Sequence, residues 1–109
     1  MRKPGWPKLL LAVLLPASLV DSGHATAADP KQGHLLARQW CASCHLVEPG
    51  GSAVDRAPPF ATLANDPTLT PDRLRGWLAA PHPAMPDLSL TRLEIESIVS
   101  YIESLRRTP

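Results

Sequence analysis

Apolar residues recur at intervals of three and four in several stretches of this chain, and none of it alternates as a half-buried strand would. The clearest stretch is the last. Ile95, Ile98, Val99, Ile102 and Leu105 line one helical face with Tyr101 on its flank, directly after Thr91-Arg92-Leu93-Glu94, a capping box. Glu94 and Glu96 stand in the first turns and Arg106 and Arg107 close the last, as a helix dipole favours. A second helix is predicted over Pro30–Trp40. Asp29 is its N-cap, Pro30 sits in its first turn, and Gly33, Leu36, Ala37 and Trp40 share a face. Gly33 lowers helix propensity by about 1 kcal/mol against alanine, a loss that a close helix contact would offset. Thr70-Pro71-Asp72 opens a third helix carrying Leu74, Trp77 and Leu78, and Pro81, Pro83 and Pro86 end it in an extended segment around Met85. Residues 47–66 are rich in turns, and Phe60 and Leu63 can anchor one short helical turn there. Such a segment is ordered only if it wraps something apolar. The fold class is all-α, with three to four short helices.

The first residues change the domain count. Arg2, Lys3 and Lys8 precede an apolar run over residues 9–20, and Ala25-Thr26-Ala27 offers the small residues that a signal peptidase reads. The run is shorter than the roughly 20 residues a membrane span needs, and Pro16 interrupts it. Residues 1–27 are therefore expected to be a cleaved signal peptide and 28–109 the mature domain, with no membrane span after cleavage. A domain this small sits near the lower limit for an unaided core and commonly needs a staple.

Cys41-Ala42-Ser43-Cys44-His45 supplies a candidate staple. A C-x-x-C-H run is the attachment site of a c-type haem. Two thiols three residues apart on a helical turn can each add to one vinyl group of a single porphyrin, and the following imidazole then lies under the ring, able to bind iron. Three other readings compete. A disulfide would close a very small loop and stabilise little. A zinc site needs two further ligands at a matching spacing, and neither a second C-x-x-C nor an H-x-x-x-H appears. A thioredoxin-like dithiol needs a βαβ setting, which the pattern does not offer.

Given a haem, Met85 is the candidate for the second axial position. It is the only methionine of residues 28–109 and lies in Pro83-Ala84-Met85-Pro86, where proline-restricted backbone would keep a thioether in place. The alternative is a methionine filling a gap in the core. His82, three residues away, could also reach iron and reads as a solvent or haem-edge side chain. His34 lies off the Gly33/Ala37 face and is expected to be exposed. The chain has 11 Lys and Arg against 10 Asp and Glu without a basic run, so nucleic-acid binding has no electrostatic footprint.

These residues together resemble the small monohaem class I cytochromes c of bacteria. The likeness runs from Gly33-His34-Leu35-Leu36-Ala37 and the Trp40–His45 stretch, through Ala57-Pro58-Pro59-Phe60 and Pro81–Pro86, to the closing helix. It implies a class I cytochrome c fold around one covalently attached haem c. Cys41 and Cys44 would carry the thioethers, and His45 and Met85 would ligate the metal. Pro58 would offer its carbonyl to the other imidazole nitrogen of His45. Trp77 would pack near the haem edge, and Gly33 would let the first helix cross the last beside Tyr101. The short stretch between His45 and Pro58 implies more exposed propionates than in longer relatives.

The function read from this is single-electron transfer in the bacterial periplasm, between a redox protein donor and an acceptor that dock transiently. The protein would be a monomer or part of a redox complex, and not an enzyme on its own, because a filled coordination shell leaves no place for substrate. Two alternatives stand beside it: a dedicated electron-transfer subunit of a larger oxidoreductase, and a haem-based gas or redox sensor with a labile methionine ligand.

Overall fold

Four helices account for all regular structure among the described residues of the computed structural model, which are 2–5, 27–51 and 56–107. They are α1 (Pro30–Trp40), α2 (Phe60–Asn65), α3 (Pro71–Ala79) and α4 (Arg92–Ser104). The expected signal peptide lies almost wholly outside the described residues. No helix among those described is long and apolar enough to cross a membrane.

Local chemistry starts each long helix. The Asp29 carboxylate accepts from Lys31 N at 3.0 Å, and the Thr70 hydroxyl accepts from Arg73 N at 3.3 Å. At α4 the capping box is reciprocal: Thr91 Oγ1 accepts from Glu94 N at 3.2 Å while Glu94 Oε2 accepts from Thr91 N at 2.7 Å. The short α2 has no side-chain cap and is held by the Pro59 carbonyl, which accepts from Thr62 and Leu63.

α4 is the hub and packs against each of the other three helices, most extensively against α1. Ile98, Val99 and Ile102 on α4, with Leu36 and Ala37 on α1, form the centre of the core. Burying each large aliphatic side chain contributes roughly 1.5–3 kcal/mol. The α1–α4 crossing depends on Gly33. A Cβ built there would stand 1.8 Å from the Ser97 carbonyl oxygen and 2.9 Å from Tyr101 Cβ. Only hydrogen fits between these two backbones, so the helix propensity lost at Gly33 is offset by contact.

Three details depart from the sequence expectations. Trp40 has the spacing of the buried face but is 47% exposed. The helix ends there, and the following turn directs Cys41 inward instead, leaving it 5% exposed. Tyr101 is not on the flank: it is buried, and its hydroxyl donates to the Val47 carbonyl at 2.6 Å. Arg106 and Arg107 lie beyond α4 rather than in its last turn. Asn65 holds the departing chain, accepting from Arg107 N at 2.8 Å and donating to the Leu105 carbonyl at 3.4 Å.

Candidate functional site

The C-x-x-C-H residues continue from α1 as one tight turn. The Cys41 carbonyl accepts from both Cys44 N at 3.1 Å and His45 N at 2.9 Å, and Cys41 N still donates to Ala37. Helix and motif are thereby one rigid unit, with His45 turned toward the proline-rich segment before α2.

That segment fixes the imidazole. His45 Nδ1 lies 2.7 Å from the Pro58 carbonyl oxygen. A carbonyl can only accept, so Nδ1 carries the proton and Nε2 keeps a free lone pair. This is the tautomer a metal-ligating histidine needs, with the second nitrogen held by a neighbouring acceptor. The Phe60 ring sits tilted against the imidazole at 5.2 Å between centroids, and Phe60 N donates to the Leu46 carbonyl at 3.0 Å.

Beside His45 opens a cavity of about 390 Å3. Cys41, His45 and Pro58 form one part of its wall, and Phe60, Leu63 and Ile102 the floor toward the core. Leu74, Trp77 and Leu78 of α3, with His82 and Met85, complete it. Among the described residues, no Asp, Glu, Lys or Arg lines this cavity. A smaller groove, lined by Trp40, Cys44, Arg56 and Ala84 among others, shares Cys41, His45 and Met85 with it. Cys41, His45 and Met85 therefore border both the cavity and the groove, and Cys44 borders the groove. Trp77 is 40% exposed, at the mouth of the cavity, where its ring meets His82 edge-on at 5.4 Å between centroids.

Met85 is carried by a β-turn over residues 82–85. Met85 N donates to the His82 carbonyl at 3.1 Å, Pro83 occupies the second position, and Ala84 has φ +75°. Proline followed by a positive φ is the type II pattern, which prefers glycine at the third position. Alanine there costs about 1–2 kcal/mol, so the segment bearing Met85 is held in place under strain.

The fit to a porphyrin can be judged on these residues. A largely apolar cavity suits an apolar macrocycle; an imidazole, a thioether and the Cys41 thiol line it, and the Cys44 thiol lines the groove beside it. The competing thiol chemistries fit less well. Burial pushes the Cys41 thiol up to about 11, which disfavours the thiolate that zinc binding or dithiol exchange requires. Among the described residues no three His, Cys, Asp or Glu side chains converge in a way that could hold a metal ion.

Sequence reasoning missed a second array, on the other side of Tyr101. His34 is half-buried rather than exposed: its ring stacks on Tyr101 at 4.7 Å between centroids, and its Nε2 lies 2.7 Å from Glu48 Oε1. Arg38 Nε meets the same carboxylate oxygen at 3.3 Å. Together with the Tyr101–Val47 hydrogen bond, these contacts tie the loop after His45 to α1 and α4. Burial, and after it the Glu48 charge, raise the Tyr101 hydroxyl above its ordinary value, so it remains a donor. The partners lie 14 and 54 residues apart, and no local motif announces such pairs. The contact of Phe60 with His45 is equally hidden from local pattern, which offers Phe60 only as an anchor of a short helical turn.

Residues 28–102 match the family model described as "Cytochrome C oxidase, cbb3-type, subunit III". A curated relative, cytochrome c-552 of Bradyrhizobium diazoefficiens, is 46% identical over 88 residues, which cover 79% of this chain and 84% of the relative. No solved structure gives a significant match.

Proposed function

The chain belongs to the small class I c-type cytochromes, electron-transfer proteins with covalently attached haem c, and from that premise we propose that it is a periplasmic one-electron carrier with His/Met ligation. Haem c supplies the couple, ferric to ferrous and back. Everything else falls to the protein. Cys41 and Cys44 would hold the macrocycle through thioethers. His45 would bind through Nε2, with Pro58 accepting at Nδ1 to keep the ring in orientation and to raise its basicity. Met85 would provide the second ligand, a soft sulfur donor that would favour the reduced state and raise the potential. Pro83 and Pro86 restrict the backbone on either side of that sulfur, so little reorganisation would accompany transfer while it is bound. Phe60, Leu63, Leu74 and Ile102 exclude water from the inner part of the site. Trp77, at the mouth, lies at the edge where electrons pass to a docked partner.

The mature protein in this reading is residues 28–109, exported with the aid of residues 1–27. The observation that carries the proposal is that His45 and Met85 line the same apolar cavity as Cys41, while Cys44 lines an adjoining groove together with all three. A second reading has specific support: the matching family model is described as a subunit of a cbb3-type oxidase, which favours a dedicated place in a larger oxidoreductase. Stable co-purification with a membrane oxidase would select it over a free carrier.

The ferric visible spectrum of the holoprotein, made in a host able to attach haem c, tests the ligation. A low-spin spectrum with a weak long-wavelength sulfur-to-iron band is the expected result. A high-spin spectrum, or a low-spin one without that band, would overturn the assignment of Met85.

A further inference from the structure

We propose that His82 is a reserve axial ligand of the same iron, poised to bind whenever the Met85 sulfur is absent. The inference rests on the reading of Met85 as the distal ligand and extends it to a second residue of the turn.

Three observations carry it. First, His82 and Met85 are the two ends of one β-turn, joined by the 3.1 Å hydrogen bond from Met85 N to the His82 carbonyl. The Cα atoms at the ends of such a turn lie within about 7 Å of each other. A modest change in the turn therefore exchanges one side chain for the other. Second, both side chains border the cavity that also receives His45. The His82 ring is oriented there by the edge-on contact with Trp77.

Third, the His82 ring is placed to use Nε2. Its Nδ1 lies 3.1 Å from the Pro83 carbonyl oxygen, which can only accept, so in the neutral ring Nδ1 would carry the proton and Nε2 the lone pair. His45 uses the Pro58 carbonyl in the same way. The site thus contains two imidazoles, each with Nδ1 against a proline carbonyl. Imidazole is a good donor to iron, and axial identity is a main lever on the potential.

Met85 remains the primary ligand because it borders both the cavity and the groove beside Cys44, whereas His82 borders only the cavity and is the more exposed. The turn strained at Ala84 gives the segment somewhere to relax when the sulfur leaves. A bis-imidazole state would keep the iron six-coordinate and lower its potential, with no open position for small ligands.

The test compares ferric holoproteins at neutral to mildly alkaline pH. Met85→Ala is expected to lose the sulfur-to-iron band yet stay low-spin. Met85→Ala/His82→Ala is expected to turn high-spin and to bind free imidazole at least tenfold more tightly than Met85→Ala does. Met85→Leu, with and without His82→Ala, repeats the comparison at nearly constant side-chain volume. A high-spin Met85→Ala protein, or a double variant that stays low-spin, would overturn the role of His82 while leaving the Met85 band of the parent intact. If the parent itself lacks the band and His82→Ala alone turns it high-spin, the Met85 reading fails and His82 is the primary ligand, not a reserve.

Discussion

The two sides of α4 are built on opposite principles. Toward α1, protein meets protein without a gap: Gly33 lies against the Ser97 carbonyl, Ala37 and Ile98 are fully buried, and Tyr101 closes the contact through Val47. Toward α2, α3 and the Met85 turn, the helix faces the cavity of about 390 Å3 across Ile102. One side completes itself, and the other is completed by a cofactor. The same helix can serve both because its inward residues divide between them, Ser97, Ile98 and Tyr101 on the first and Ile102 on the second.

The largest effect should come from withholding the cofactor. The macrocycle would remove the apolar wall of this cleft from water, at roughly 25 cal/mol per Å2 covered. Whole domains are stable by only roughly 5–15 kcal/mol. Cys41→Ser/Cys44→Ser, which removes covalent attachment, should therefore abolish cooperative thermal unfolding followed by far-UV circular dichroism. A sharp transition surviving in that protein would mean that the α1–α4 side sustains the fold alone.

The same division explains what could be read from the residues alone. The capping box at Thr91, the Asp29-Pro30 and Thr70-Pro71 starts and the C-x-x-C-H run are local signals, each complete within a few neighbouring positions, and each stands in the structure where the chain predicts it. The cavity wall was legible in part, because Leu74, Trp77 and Leu78 share a helical face and the prolines around Met85 exclude a helix. The missing information was long-range. Periodicity puts Tyr101 on a flank because it cannot show that Val47 offers it a carbonyl. The same pattern puts His34 in solvent because its partners, Glu48 and Tyr101, come from a loop and another helix. Trp40 kept the period of α1, but the tight turn that follows gave the inward position to Cys41.

A glycine exchange on the packed side comes next in magnitude. Gly33→Ala adds one methyl group where the nearest neighbours are the Ser97 carbonyl carbon and oxygen, backbone atoms that cannot rotate away. The helices must move apart, a form of overpacking that typically costs 1–3 kcal/mol and sometimes more. The gain of about 1 kcal/mol in helix propensity offsets only part of it. A net loss of about 1 kcal/mol in urea denaturation of the holoprotein is expected. An unchanged midpoint would mean that the crossing is loose, and the contrast between the two sides would lose its basis.

The reverse exchange on the cavity side should have the opposite sign and the smallest size. Ala84 holds φ +75° in the turn between His82 and Met85, a conformation glycine adopts without steric penalty. Ala84→Gly removes a strain of about 1–2 kcal/mol. It also gives the unfolded chain more freedom, which returns roughly 0.5–1 kcal/mol in the other direction. The balance is a gain of about 0.5 kcal/mol, small but measurable as a shift in the denaturation midpoint. Its sign matters more than its size. A gain would show that the turn is held against its own preference by what lies on either side of it, Pro83, Met85 and the cavity they border. A loss would mean that the alanine methyl makes contacts worth more than the strain, and the Met85 segment would then be as fully packed as the helix crossing on the far side of α4.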